Sequence, residues 1–282
     1  MKISWKEKEF YMSSYWMDNL KNYVKGVMKK NTSAVFIFDG RSGLGKTTLA
    51  CQTGCFLNNE IKKYMGSDTP LFNLGCLHWN PHEFLDRLEK AKKGEIIILD
   101  EAMIVSNRAF MSEINRMVVI MMSMIRSKQI FVIFCANSIF DLEKNLPLHR
   151  ADVLIHLYAK DDRFATRGQY MVVPSAKGKL KMLYILGKKY YDYSKGKPAF
   201  IDHFSKFFPF SHKEYEIRKQ KSINTYFETL GKKGTTTKIK QSRDGAIRYL
   251  KENTNMEIKE LGIAFNVSEK TIYRVLKPHN DY

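Results

Sequence analysis

The sequence predicts an α/β protein: a parallel sheet flanked by helices, followed by a small all-helical module. Three observations carry that expectation. Residues 34–158 alternate short β-branched and aromatic runs with longer helix-forming stretches, the pattern of strands joined by crossover helices. Within them, Ile96-Ile97-Ile98-Leu99 is an unbroken apolar run, which suits a strand covered on both faces of a parallel sheet. Residues 242–277 carry apolar side chains at helical spacing.

A chain of 282 residues allows one large domain and a small one, with an ample core. A content of 44% hydrophobic and 27% charged residues is an ordinary globular balance. Lys and Arg number 47 against 29 Asp and Glu, a net charge of +18. Such an excess points to polyanionic partners, nucleic acid before an anionic membrane. Cys51, Cys55, Cys76 and Cys135 fall in apolar contexts, without a CxxC pair or an adjacent His. They read as reduced, buried thiols of an intracellular protein, not as a zinc set. No apolar run approaches the length of a bilayer span, and no signal peptide is visible. The expectation is a cytoplasmic protein with no membrane partner.

Residues 2–30 are expected to form an N-terminal helix. Phe10, Tyr15, Trp16, Leu20, Tyr23, Val24 and Val27 recur at helical spacing between lysines. A strand at 34–39 and a helix at 45–64 follow, ended by Gly66-Ser67-Asp68-Thr69-Pro70. A second strand is expected within 71–79. Asn80 caps the next helix and Pro81 opens it, while Lys92-Lys93-Gly94 closes it. Beyond the strand at 95–99, a Met- and Ile-rich helix is expected at 109–127. Strands at 129–136 and 151–158 flank a short helix at 141–146. Segments 169–173 and 180–186 flank Pro174-Ser175-Ala176-Lys177-Gly178 and read as a hairpin. Residues 177–240 are lysine-rich with many aromatics, and Gly231-Lys232-Lys233-Gly234 opens a flexible linker. The domain boundaries so expected are 1–30, 31–190, 191–240 and 241–282.

The chemistry is concentrated after the first strand. Gly40-Arg41-Ser42-Gly43-Leu44-Gly45-Lys46-Thr47, with Thr48 behind it, fits G-x-x-x-x-G-K-[ST] in full. Glycines let successive N–H groups curl round phosphate oxygens. The following helix turns its positive end to the same anion. Lys46 would reach the β- and γ-phosphates, and Thr47 would hold Mg²⁺. Asp100 ends an apolar strand and fits the second nucleotide motif, a carboxylate in the metal shell. Glu101 beside it can deprotonate an attacking water. Asn137, at the end of another strand, is placed to touch the γ-phosphate or that water. Arg126, Arg150, Arg163 and Arg167 are candidates to stabilise the transferring phosphoryl group, in this chain or a neighbouring subunit. Of these, Arg150 is the catalytic candidate.

GRSGLGKTT, then IIILDEA, then a strand ending in Asn resembles the ASCE group of P-loop ATPases. That group, with its AAA+, RecA-like and FtsK–HerA members, carries an extra strand between the two motifs and a catalytic Glu. The order YWMDNL, GRSGLGKTT, IIILDEA, IRSKQIFVIFCANSIFDL, HRADVLIHLY further resembles phage and mobile-element ATPases of the zonular occludens toxin-like type, over roughly residues 1–190. The resemblance implies a P-loop NTPase fold, ATP and Mg²⁺ as ligands, and the roles above for Lys46, Thr47, Asp100, Glu101 and Asn137. It also implies a homo-oligomer, a ring among the possibilities, in the host cytoplasm if the source is viral.

In the C-terminal module, IKELGIAFNVSEKTIYRVLK resembles a helix-turn-helix of the resolvase or homeodomain-like type. Leu261, Ala264, Val267 and Ile272 carry the spacing. Ser268 would cap the third helix, which would expose Ser268, Lys270, Thr271, Tyr273 and Arg274 to a major groove. The expected function is a Mg²⁺-dependent ATPase that couples hydrolysis to DNA translocation, packaging or loading. The alternatives are an ATP-switched DNA-binding regulator or helicase-loader-like factor with slow turnover, and a small-molecule kinase.

Overall fold

The computed structural model describes residues 1–6, 8–100, 125–159, 168–232, 247, 251, 257–264 and 267–276. The chain divides into a unit of residues 1–223 and a unit of residues 224–282. In order, the strands are β1 (Lys2–Trp5), β2 (Lys8–Tyr11), β3 (Ala34–Asp39), β4 (Leu77–His78) and β5 (Ile96–Leu99). They continue with β6 (Phe131–Ala136), β7 (Val153–Tyr158), β8 (Gln169–Pro174) and β9 (Phe200–His203). The helices are α1 (Ser14–Lys30), α2 (Lys46–Met65), α3 (Pro81–Glu89), α4 (Asn145–His149), α5 (Lys179–Gly187), α6 (His212–Lys232), α7 (Ile258–Ala264) and α8 (Glu269–Leu276).

A seven-stranded sheet in the order β4-β5-β6-β3-β7-β8-β9 forms the centre of the first unit. β4, β5, β6, β3 and β7 pair in parallel, and β8 and β9 extend the sheet by antiparallel pairing. All six residues of β3 and all six of β6 are buried, because both faces of the sheet are covered. Phe36 and Phe38 pack with α1 and α2 on one face, while Val35 and Ile37 pack with α3 and α5 on the other. This is the α/β layering of a P-loop NTPase. Insertion of β6 between β3 and β5 sets the strand before the glycine loop one place away from the strand before Asp100.

The local rules place the caps as expected. Asn80 Oδ1 accepts from His82 N at 2.9 Å, with Pro81 in the first turn of α3. Lys29 and Lys30 sit in the last turn of α1, and Asn31 ends it in the left-handed region.

Three expectations are corrected. Residues 2–11 form the β1–β2 hairpin, and the helix starts only at Ser14. Ile3 and Trp5 alternate with exposed Lys2 and Ser4, a period of two that decides for strand. Residues 180–186 lie in α5, not in a hairpin strand. Leu180, Leu183, Tyr184 and Gly187 are buried at helical spacing, and β8 finds its antiparallel partners in β7 and β9. The short helix expected at 141–146 appears instead as a tight turn, Ile139–Asp141, followed by α4. The helix expected at 109–127 lies outside the described residues, apart from a final turn at Ile125–Lys128.

From Phe204 to Phe210 the chain runs as a strap over α2. Buried Gln52 donates from Nε2 to the carbonyls of Ser205 and Phe207, at 2.8 and 2.7 Å. Phe207 stacks on Phe10, and Phe210 packs against Phe72. The lysine-rich aromatic stretch thus supplies core contacts for the first unit. In the second unit, Ile247, Leu261, Ile272 and Val275 are buried together, with Ile258, Val267 and Leu276 packed against them.

Candidate functional site

The carboxyl ends of the parallel strands carry the polar residues, as such sheets require of their ligand edge. β3 leads into the glycine loop. Gly40, Gly43 and Gly45 have φ of 137°, 79° and 94°, conformations that favour glycine. At Gly40 a Cβ would also collide with the Leu157 carbonyl oxygen. At Gly45 it would come to 2.8 Å from the Phe204 ring, so the strap closes on the loop. Arg41, Ser42 and Gly43 are exposed.

α2 starts at Lys46, whose side chain is folded into the loop. Its Nζ donates to the carbonyls of Gly40 and Arg41, at 2.7 and 3.1 Å, and to Asn137 Oδ1 at 3.3 Å. Only 4% of Lys46 is exposed, and three acceptors offset the cost of burying its charge. Thr47 and Thr48 follow in the first turn of α2.

Thr47 Oγ1 donates to Asp100 Oδ1 at 2.8 Å. Asp100 is fully buried. Its other oxygen, Oδ2, accepts from Trp79 Nε1 at 3.1 Å and from the Tyr215 hydroxyl at 2.7 Å. Burial first, and then the Asp100 charge, push the Tyr215 phenol well above its ordinary value, so it keeps the proton it donates.

A second buried carboxylate ends β3. Asp39 takes the Nδ1–H of His156 at 2.8 Å, the Ile139 N–H at 2.7 Å and the hydroxyl of Tyr193. His156 lies directly opposite Asp39 in the β3–β7 register, and the Tyr193 ring stacks on it at 3.6 Å between centroids. The Asp39 bond assigns the proton to His156 Nδ1 and leaves Nε2 for other partners. Loop residues 40–44 together with Asn137, His156, Tyr158, Tyr191 and Tyr193 line a cavity of about 690 Å³, within the range of small-molecule sites.

Lys46, Thr47, Asp100 and Asn137 are therefore brought together with the glycine loop. Arg150 is not: it ends α4 ahead of β7, and Asp152 N donates to the carbonyl of Val35 at the start of β3. That is the opposite edge of the sheet from Gly40. The turn holding Arg126 precedes β6 at that same edge. Glu101, Arg163 and Arg167 lie outside the described residues.

The donor set fits magnesium. A hydroxyl and a carboxylate give hard oxygen ligands, and Mg²⁺ takes few of these from a protein, completing its shell with phosphate oxygens and water. ATP fits the loop, whose positive-φ glycines let successive N–H groups turn toward phosphate oxygens.

In the second unit, Ser268 caps α8. Its Oγ accepts from Thr271 N at 3.3 Å and lies 3.0 Å from Thr271 Oγ1. Ser268, Lys270, Tyr273 and Arg274 are exposed, Thr271 is half-buried, and Ile272 and Val275 face the small core.

Residues 36–158 match the family model of the ATPase family associated with various cellular activities (AAA). The span starts in β3 and ends with β7, so it takes in the loop, Asp100 and Asn137. The match supports a P-loop ATPase of AAA type, a class that binds ATP, typically uses Mg²⁺ and often oligomerises. Among curated proteins and solved structures nothing matches the chain. Among the described residues no helix is long and apolar enough to cross a membrane.

Proposed function

We propose that this chain is a Mg²⁺-dependent ATPase that binds DNA and couples hydrolysis to its translocation, packaging or loading in a virus or mobile element. The convergence of Lys46, Thr47, Asp100 and Asn137 on the glycine loop carries this reading. Lys46 exchanges the carbonyls of Gly40 and Arg41 for phosphate oxygens. The N–H groups of the loop and the first turn of α2 close round the same phosphates. Thr47 and Asp100 hold the cation; bound magnesium neutralises phosphate charge and orients the terminal group. Asn137 orients the γ-phosphate or the attacking water. Glu101, next to Asp100 in the chain, takes the proton of that water. The cavity beside the loop has room for the nucleoside.

DNA binding is supported by the +18 net charge and by α8, whose exposed Lys270, Tyr273 and Arg274 follow a capped amino terminus. In a ring of copies, Arg150 would serve a neighbour's nucleotide. The test is the ATP turnover rate of the wild type and of Lys46→Ala, with and without single- and double-stranded DNA, over a range of salt. Abolished turnover in the variant and stimulation by DNA are expected. Equal hydrolysis by the variant would overturn the site. Nucleotide-dependent DNA binding without stimulation would replace the motor by a switch.

A further inference from the structure

Asp100 is held by more donors than cation binding asks of it. Its Oδ1 meets Thr47, where the metal belongs, but Oδ2 takes two further charge-assisted hydrogen bonds, from Trp79 and Tyr215. These donors come from separate elements. Trp79 follows β4, whose His78 carbonyl accepts from Asp100 N at 2.8 Å. Tyr215 is in the first turn of α6. The two rings meet edge to face at 5.4 Å, and Phe208 of the strap packs edge-on against Tyr215 at 5.3 Å. Two turns further along α6, on the same face, Ser222 Oγ donates to Glu83 Oε2 of α3 at 2.7 Å. The phenol is thus fixed by packing on one side and by a docked helix on the other.

We infer that Tyr215 and Trp79 are positioning residues for the metal-binding carboxylate, locking Oδ2 so that Oδ1 alone faces Thr47 and the cation. The inference rests on the reading of Thr47 and Asp100 as the metal site. With Oδ2 saturated, the carboxylate cannot rotate to offer its other oxygen or chelate with both. Metal binding then does not have to order it. Outer-shell partners of this kind set ligand orientation as well as ligand basicity. The lock also ties the metal site to α6: a displacement of that helix withdraws a donor from Asp100.

Tyr215→Phe removes the hydroxyl and keeps the ring; Trp79→Phe removes the other donor. In the full-length protein, the affinity for a fluorescent ATP analogue is measured in EDTA and across a Mg²⁺ titration, with the melting temperature as a folding check. The inference expects Tyr215→Phe to raise the half-saturating Mg²⁺ concentration about tenfold or more and to leave binding in EDTA unchanged, with Trp79→Phe shifting it in the same direction. A wild-type Mg²⁺ titration in a folded Tyr215→Phe protein overturns it. So does an equal loss of affinity with and without Mg²⁺, which would mark a purely structural residue. Wild-type protein that binds nucleotide equally in EDTA and in Mg²⁺ would remove the metal site itself, and the inference with it.

Discussion

His78 shows at the scale of one residue how this site edge is tuned. It ends β4 next to Trp79, and burial, helped by Arg218 and Arg87, lowers its pKa to about 4. Its ordinary value is 6.5. As pH falls below about 6.5 the unfolded chain takes up a proton that the folded protein refuses. Stability is therefore complete above that pH and is lost progressively down to about pH 4, by on the order of 3 kcal/mol in all. Urea midpoints of the wild type and of His78→Gln between those pH values check this; the variant lacks the acid-side slope that His78 contributes. Most of the site is readable one residue at a time. The loop from Gly40 to Thr47 is contiguous, and Asp100 and Asn137 each end an apolar run. Trp79, Tyr215 and His156 are not readable so, because only sheet order and the docking of α6 bring them to Asp100 and Asp39. Tyr215 is 115 residues from Asp100. A buried aspartate closing β3 directly ahead of the loop was the available signal for the Asp39 cluster.

At the scale of elements, α2 joins the loop to the core, and Gly54 tests how tightly. In the middle of a helix, Gly→Ala ordinarily gains about 1 kcal/mol. Here the new methyl would collide with the Phe72 ring, with further ring carbons at 2.7 Å. Phe72 is 1% exposed and packs against Trp5 and Phe210, so it has no free side to move into. Overpacking of about 1–3 kcal/mol outweighs the helix gain, and Gly54→Ala lowers the melting temperature where propensity alone would raise it. The elements that resisted reading from sequence share one cause. In 2–11 and in 180–186, periods of two and of 3.6 compete over fewer than a dozen residues. Tertiary contacts decide: Ile3 and Trp5 reach the core from a hairpin, and Leu180, Leu183 and Tyr184 reach it from a helix.

The whole molecule carries a net charge of +18, and its expected behaviour toward DNA follows from that charge. Each phosphate neutralised by a lysine or arginine contributes about −0.9 to the slope of log affinity against log salt. Lys270→Ala and Arg274→Ala in the full chain should each weaken DNA binding and shallow that slope by about one. An unchanged slope, read by fluorescence anisotropy between low and physiological salt, would take α8 off the DNA. Helix α6 carries Tyr215 near its start and runs on to Lys232, past Ile223, the last residue of the first unit.

All four cysteines of the chain are buried in the first unit, on the α1–α2 side of the sheet. Burial also raises the pKa of Cys51, Cys55 and Cys76, so these thiols hold their protons at neutral pH. An alkylating reagent can reach them only when the structure opens. Cys51 and Cys55 ride one turn apart on the helix that follows the phosphate loop, while Cys76 and Cys135 sit elsewhere in the same core. Their labelling order thus reports where the fold breathes first, and ligand-induced slowing confined to the first pair would locate the tightening at α2.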